Sequence, residues 1–404
     1  MTTNTSFDIT QPLPQGTVLL AASAGTGKTW TISAVCAKAI ATGLVHMENL
    51  LLVTFNRSAA RELRGRVYER LVNTRLLLAG AREPSDPCDW SLIRCGQAGL
   101  TRVESALDNF DRAVITTTHE FASRMLVELG VLSDHDPSSV LMTDLAPLAT
   151  EVSDDHYLAQ YLDCDRPPSV RDKRELSRDV AVKYGEVPIF SKDDADTPVQ
   201  DVLWALSVRE DVRRRSRSRS VHTFDDLIGD LVKALRDPYR GPLACATLAH
   251  RFGLVMVDEF QDTDPLQWEI LRRAFHGHSN LWLIGDPKQS IYAFRGADIH
   301  AYQDAAQSAS HVLHLDVNYR TDKPIVEAVN TLFSNAQLGH DISMELVTAH
   351  HQESRIKTAA TDGPRYHWSQ PFQIRCLQAP AGAQLNTATS DQFVTCLLYT
   401  SDAA

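Results

Sequence analysis

One segment constrains the fold more than any other: Ala22-Ser23-Ala24-Gly25-Thr26-Gly27-Lys28-Thr29, between the apolar stretch Thr17-Val18-Leu19-Leu20 and a helical stretch from Thr29 to about Ala41 that Gly43 closes. Glycines in such a loop let bare backbone N–H groups surround phosphates, and the N-terminus of the next helix adds a favourable dipole. Lys28 is then expected to neutralise the β- and γ-phosphates and Thr29 to hold Mg²⁺. A glycine turn with an incidental lysine is the bland alternative. Taken alone, the loop would suit a kinase, a GTPase, a transporter ATPase or a helicase equally.

A second motif, Val257-Asp258-Glu259-Phe260-Gln261-Asp262-Thr263-Asp264, ends the apolar run Leu254-Val255-Met256-Val257. Its two acids should emerge at the carboxyl end of a buried parallel strand, where open α/β sheets bind ligands. Asp258 is placed to hold Mg²⁺, and Glu259 to orient and deprotonate an attacking water. Further strands are expected at Leu50–Val53, Ala113–Ile115 and Leu281–Ile284, with helical spacing over Ser58–Leu76. Strands separated by helices predict an α/β fold, a parallel sheet covered on both faces. The strand signal lapses between about Phe121 and Val221, which reads as a helical insertion. Within it, Arg213-Arg214-Arg215-Ser216-Arg217-Ser218-Arg219 reads first as a solvated helix face or linker and second as a phosphate-binding patch.

A length of 404 residues calls for more than one structural unit, and 43% hydrophobic residues supply ample core material. No apolar run approaches the roughly 20 residues of a membrane helix, and the polar start lacks a signal pattern, so a cytoplasmic protein with no membrane partner is expected. Seven scattered cysteines without a C-x-x-C pair argue against disulfides and zinc. A net charge of −11 does not advertise nucleic-acid binding, although basic stretches such as Arg57–Arg70 could line a channel.

The strand-end motifs narrow the choice. Beyond the loop come Thr54-Phe55-Asn56-Arg57-Ser58-Ala59-Ala60, Thr117-Thr118-His119-Glu120-Phe121 and Phe224-Asp225-Asp226-Leu227. After the acidic motif come Gly285-Asp286-Pro287-Lys288-Gln289-Ser290-Ile291-Tyr292-Ala293-Phe294-Arg295-Gly296-Ala297-Asp298 and Asn318-Tyr319-Arg320. In this order, over roughly residues 15 to 335, the chain resembles the UvrD/Rep group of superfamily 1 DNA helicases. Within that group it is most similar to the RecB-like β subunit of exodeoxyribonuclease V.

The resemblance implies an ATP-dependent motor that moves 3′ to 5′ on single- or double-stranded DNA, with RecC-like and RecD-like partners for the intact protein. It implies a RecA-like P-loop domain in two parts, 1–122 and 222–335, an insertion at 123–221, and at 336–404 a truncated start of a second motor domain or a disordered tail. ATP and Mg²⁺ would be held by Ala22 to Thr29 with Asp258, while Glu259 acts as base and Gln289 couples the γ-phosphate to DNA. Tyr319 would stack on the adenine and Arg320 contact the γ-phosphate. Thr54, Phe55, Arg57, Thr117 and His119 would touch the DNA backbone. Tyr292 and Phe294, with Arg295 nearby, would offer stacking faces for bases, which bind without reading sequence. Core packing is the alternative for both aromatics, and a structural role the alternative for His119.

The chain departs from the group in three ways. Glu120 stands where a small residue is usual, the insertion is short, and no later motor or nuclease motif follows Arg320. An AddA-like or UvrD-like relative is a rival within the same enzyme class, and a non-catalytic DNA-binding remnant a rival outside it. The last part, from about Asn335, offers only a turn at Asp362-Gly363-Pro364 and one strand at Phe372–Cys376.

Overall fold

The computed structural model describes residues 5–133, 140–142, 144–182, 199–290, 298–334, 336, 342, 345–353 and 355. These form two units, one of residues up to Asp316 together with Gln337–Met344, the other of Val317–Ala336 together with the residues from Glu345 on.

The first unit is built on a seven-stranded sheet. Its strands are β1 (Thr5–Ser6), β2 (Thr17–Ala22), β3 (Leu50–Thr54), β4 (Val114–Thr117), β7 (Leu254–Val257), β8 (Asn280–Gly285) and β9 (His311–Leu315), while β5 (Val140–Leu141) and β6 (Val221–His222) lie in the insertion. The sheet order is β1-β9-β2-β8-β7-β3-β4, and every neighbouring pair is parallel. The carboxyl ends of β2, β3, β4, β7 and β8, each followed by one of the motifs, therefore open on one edge of this sheet.

The sequence pattern explains why the sheet is buried on both sides. Its central strands are nearly continuous apolar runs, and alternate residues point to opposite faces. Val18, Leu20, Leu50, Leu52, Leu254, Met256, Trp282 and Ile284 pack on one face with helices α1 (Lys28–Thr42) and α2 (Arg57–Leu78). Leu19, Leu51, Val53, Val255, Val257, Leu281 and Leu283 face the other way, toward a layer that includes α5 (Thr118–Leu129), α9 (Phe224–Arg236) and α11 (Pro265–Phe275). Helix α1 is buried from Thr31 to Ala41 and stops at Gly43, whose φ of 80° lets its N–H reach back to carbonyls of the last turn.

On the α2 side, α3 (Pro87–Leu92) and α4 (Gly96–Asp108) follow. A buried ion cluster ties α2 to α3: Arg70 reaches Asp86 at 2.5 Å and Asp89 at 3.1 Å, and Arg82 reaches Asp89 at 2.9 Å. Asp86 also caps α3 by accepting the Asp89 N–H.

Helix α5 (Thr118–Leu129) leaves β4 and leads to the insertion: β5, α6 (Ala146–Tyr161), α7 (Val170–Leu176), the π-helical turn Ser177–Val182, α8 (Val199–Ser218) and β6. Leu148, Val152, Trp204, Val208 and Val212 give it a core of its own. The arginine run belongs to the end of α8 and is largely ion-paired. Arg215 meets Glu151 and Asp155, Arg219 meets Glu151, and Arg214 meets Asp211. The chain returns through α9 (Phe224–Arg236), which opens on a capping box between Thr223 and Asp226. Then come α10 (Gly241–Arg251), α11 (Pro265–Phe275) and α12 (Ile299–Ser308).

Strands β1 and β9 were not legible in the sequence. β9 is half-exposed, and histidines at 311 and 314 break its apolar pattern. The pairing of β9 with β2 on one side and β1 on the other makes it a strand.

The second unit contains β10 (Val317–Asn318) paired in parallel with β11 (Thr348–Ala349), and α13 (Lys323–Leu332). Arg355 bonds to Asp322 at 2.6 Å within it. The turn at 362–364 and the strand at 372–376 expected from the sequence lie outside the described residues.

Candidate active site

Strand β2 delivers the chain into the loop at Ala22. Gly25 and Gly27 have φ of 81° and 90°, a left-handed geometry that side-chain-bearing residues resist. The buried Thr26 folds the loop on itself, its hydroxyl donating to the Ser23 carbonyl at 2.7 Å. Gly27 is the N-cap of α1 and offers no side-chain cap, and the first turn holds no acid. The orphan N–H groups at this helix start are thus left for an anion, as a phosphate cradle requires. Ser23 and Thr29 are half-buried beside it and Ala24 is exposed.

Strand β7 brings the acids to the same edge. The Asp258 N–H donates to the Val53 carbonyl at 2.8 Å, which continues the pairing with β3. Its Oδ1 accepts the Glu259 N–H at 3.0 Å. Burial first, then the charge of Glu259, pushes the Asp258 carboxyl up to about 6, against the pull of Lys28. Glu259 has φ 53° and ψ 44°. A left-handed glutamate costs roughly 1–3 kcal/mol, and such strain gathers at active sites. It carries the carboxylate to Lys28, whose Nζ lies 2.7 Å from Glu259 Oε2.

A third strand end completes the set. Asp286, after β8, accepts from Gln289 Nε2 at 2.8 Å and pairs with Lys288 at 2.8 Å. Gln261 joins this group to the acids: its Nε2 donates to Glu259 Oε2 at 2.8 Å, and its Oε1 accepts the Asp286 N–H at 2.9 Å. Lys28, Asp258, Glu259 and Gln289 are therefore brought into one connected set. The sequence reading gave Gln261 no role. The one available signal was its place two residues after Glu259 in an acidic motif.

A nucleotide with Mg²⁺ fits these residues. Among the described residues no group of three or more His, Cys, Asp or Glu side chains could hold a metal by itself. Thr29 and Asp258 can contribute hydroxyl and carboxylate oxygens, leaving the other positions to phosphate and water, the usual habit of Mg²⁺.

The residues expected to touch DNA sit at neighbouring strand ends, with different exposures. Thr54, at the end of β3, is only 1% exposed, and its buried hydroxyl has no hydrogen-bond partner. Phe55 and Arg57, just beyond, are exposed. The Thr117 hydroxyl caps α5, accepting the Glu120 N–H at 3.4 Å, and Glu120 itself is exposed in the first turn. His119 meets the Phe224 ring edge-on at 5.9 Å. Tyr292, Phe294 and Arg295 lie outside the described residues. Tyr319 and Arg320 are exposed on the second unit, where the Tyr319 ring lies 4.8 Å from that of His350 and the Arg320 N–H donates to Asn318 Oδ1.

Residues 3–310 match the UvrD/REP helicase N-terminal domain. The RecBCD enzyme subunit RecB of Mycolicibacterium smegmatis is 38% identical over 93% of the chain and 34% of its own length. The Escherichia coli protein of the same name is 46% identical over 31% of the chain and 11% of its own. The ATP-dependent DNA helicase UvrD1 of Mycobacterium bovis is 28% identical over 78% of the chain and 37% of its own. The chain thus spans about a third of the length of the curated RecB relatives that it matches along most of its length. A parallel α/β domain with an open phosphate loop facing an Asp–Glu pair, matched over most of its residues, places the chain in the UvrD/REP helicase N-terminal domain family.

Proposed function

We propose that this chain carries the N-terminal motor domain of a RecB-type, ATP-dependent DNA translocase that moves 3′ to 5′ in recombinational repair. One observation carries the reading: Lys28, Asp258 and Glu259 meet at the edge of the sheet beside an uncapped helix start. In this reading the loop from Ala22 to Thr29 binds the ATP phosphates, Thr29 and Asp258 hold Mg²⁺, and Glu259 deprotonates the attacking water. Lys28 exchanges its contact with Glu259 for phosphate oxygens, which frees the carboxylate. Tyr319 and Arg320 would serve adenine and γ-phosphate.

Phe55 and Arg57, with Thr117 and His119 behind them, would meet a single strand at the same edge. The exposed Phe55 face suits sequence-independent stacking. Tyr292, Phe294 and Arg295 are kept in the DNA-facing role on sequence grounds alone. Residues 1–122 and 222–335 would make the ATPase core around the insertion. The similarity to subunits named RecB supports RecC-like and RecD-like partners and a cytoplasmic setting for the whole protein.

The test is ATP hydrolysis by the purified chain with and without single-stranded DNA. Turnover stimulated by DNA and lost in both Lys28→Ala and Glu259→Gln supports the reading. Turnover that survives either substitution removes it. Nucleotide or DNA binding without turnover would favour a binding remnant of a motor.

A further inference from the structure

We infer that Gln261 is a positioning residue that links the state of Glu259 to the loop bearing Gln289. This rests on the nucleotide site proposed above.

Gln261 is 3% exposed, and both ends of its amide are used. A primary amide is planar, with the donor and the acceptor on one rigid carbon, so one end cannot turn without the other. Here the donor faces the Glu259 carboxylate and the acceptor faces the Asp286 backbone N–H. Asp286, 2% exposed, in turn fixes Gln289 through its side chain. The Gln261 carbonyl accepts from the Ser290 hydroxyl at 3.3 Å, which makes a second attachment to the same loop.

Space for the amide is provided by Gly285. A Cβ there would lie 2.5 Å from Gln261 Oε1 and 3.1 Å from its backbone nitrogen. The absence of a side chain at 285 is therefore what lets β8 approach the acidic motif this closely.

The consequence concerns the moment of nucleotide binding. In the described state Glu259 Oε2 receives two donors, Lys28 at 2.7 Å and Gln261 at 2.8 Å. Phosphate draws Lys28 away and leaves Gln261 as the remaining side-chain donor from this pair. A carboxylate that then turns toward water moves the amide, and the amide moves the Asp286 N–H and the loop. Chemistry at one strand end is thereby felt at the next through a single side chain.

The experiment follows hydrogen exchange of the segment 286–290 in the full chain, with no nucleotide, Mg²⁺–ADP and Mg²⁺–ATPγS, beside the affinity for each nucleotide. The wild-type loop should exchange about 3-fold or more slower with ATPγS than with ADP. Gln261→Glu keeps an oxygen toward Asp286 but turns an oxygen on Glu259. Gln261→Met removes both bonds and keeps the length. Either variant that melts within a few degrees of wild type and is saturated with each nucleotide should lose the difference between them. Should both variants unfold, Gly285→Ala, which crowds the same amide, replaces them with the same expectation. Retention of the ATPγS-specific slowing in a folded variant overturns the link and leaves the nucleotide site standing. No nucleotide binding by wild type overturns both together.

Discussion

Two neighbouring pairs of at least partly buried acids in the first unit are handled in opposite ways. Asp86 and Asp89 meet two arginines, Arg70 and Arg82, and Asp89 also accepts the Ser85 N–H. Burial opposes the Asp86 charge, but the Arg70 fork and the Asp89 N–H outweigh it and hold the carboxyl below its ordinary value. Asp258 and Glu259 have one lysine between them, and Asp258 is pushed up to about 6. The first cluster is neutral and closed, and its work is to fasten α3 to α2. The second is one positive charge short, in a place where a helix start is also left uncapped. A deficit of this kind is stable only at a cost, and it is consistent with the proposal that this edge receives a cation with its phosphates.

That contrast can be broken first at the closed cluster. Asp89→Ala leaves Arg70 to Asp86 alone and takes from Arg82 its carboxylate, and should lower stability by about 3 kcal/mol, read from denaturant or thermal unfolding. An unchanged midpoint would mean that the cluster is ornamental. Next, Lys28→Ala should weaken the binding of a fluorescent Mg²⁺–ATP analogue by about 100-fold or more while the fold persists. Unaltered affinity would reduce Lys28 to a partner of Glu259.

Asp258→Asn tests the cost of the open cluster. The folded-state value of about 6 lies above the ordinary 3.8, so the folded wild type binds the extra proton and loses stability as pH rises from about 4 to about 6. The neutral variant should therefore be more stable than wild type by about 2 kcal/mol at pH 7, with the gain vanishing below about pH 4. Destabilisation at pH 7 would show that the site carries no such strain.

A smaller effect is expected at Glu269, held down to about 2 by hydrogen bonds from Arg236, against burial, with help from Arg273. Here the native state favours the charge, so the stabilisation is present above the ordinary 4.5 and disappears as pH falls through about 2. The arginines are half in water, so Glu269→Gln should cost about 1 kcal/mol or less at pH 7 and less still in high salt.

Much of this was legible in the chain, for reasons that differ by residue. The central strands announce themselves because burial on two faces demands unbroken apolar runs such as Leu50–Val53 and Leu254–Val257. The phosphate loop was readable because few residue patterns satisfy its backbone. Strand β9 was not, since half-exposed histidines give no period. The Arg70 cluster was invisible because its members lie 16 and 19 residues apart on separate helices. The left-handed Glu259 and the tether through Gln261 were hidden for a related reason. The tether depends on how closely two strand ends approach, and its traces in the sequence are a glycine at 285 and the place of Gln261 two residues after Glu259.

The pairing of β5 with β6 places Val140 beside Val221 and Leu141 beside His222. The insertion thus enters and leaves through one narrow neck, with its own apolar centre beyond it. A piece attached in this fashion behaves as an exchangeable cartridge. Lengthening, trimming or replacing it would strain first that neck and the side of α9 facing it, while the seven-stranded sheet keeps its own two cores.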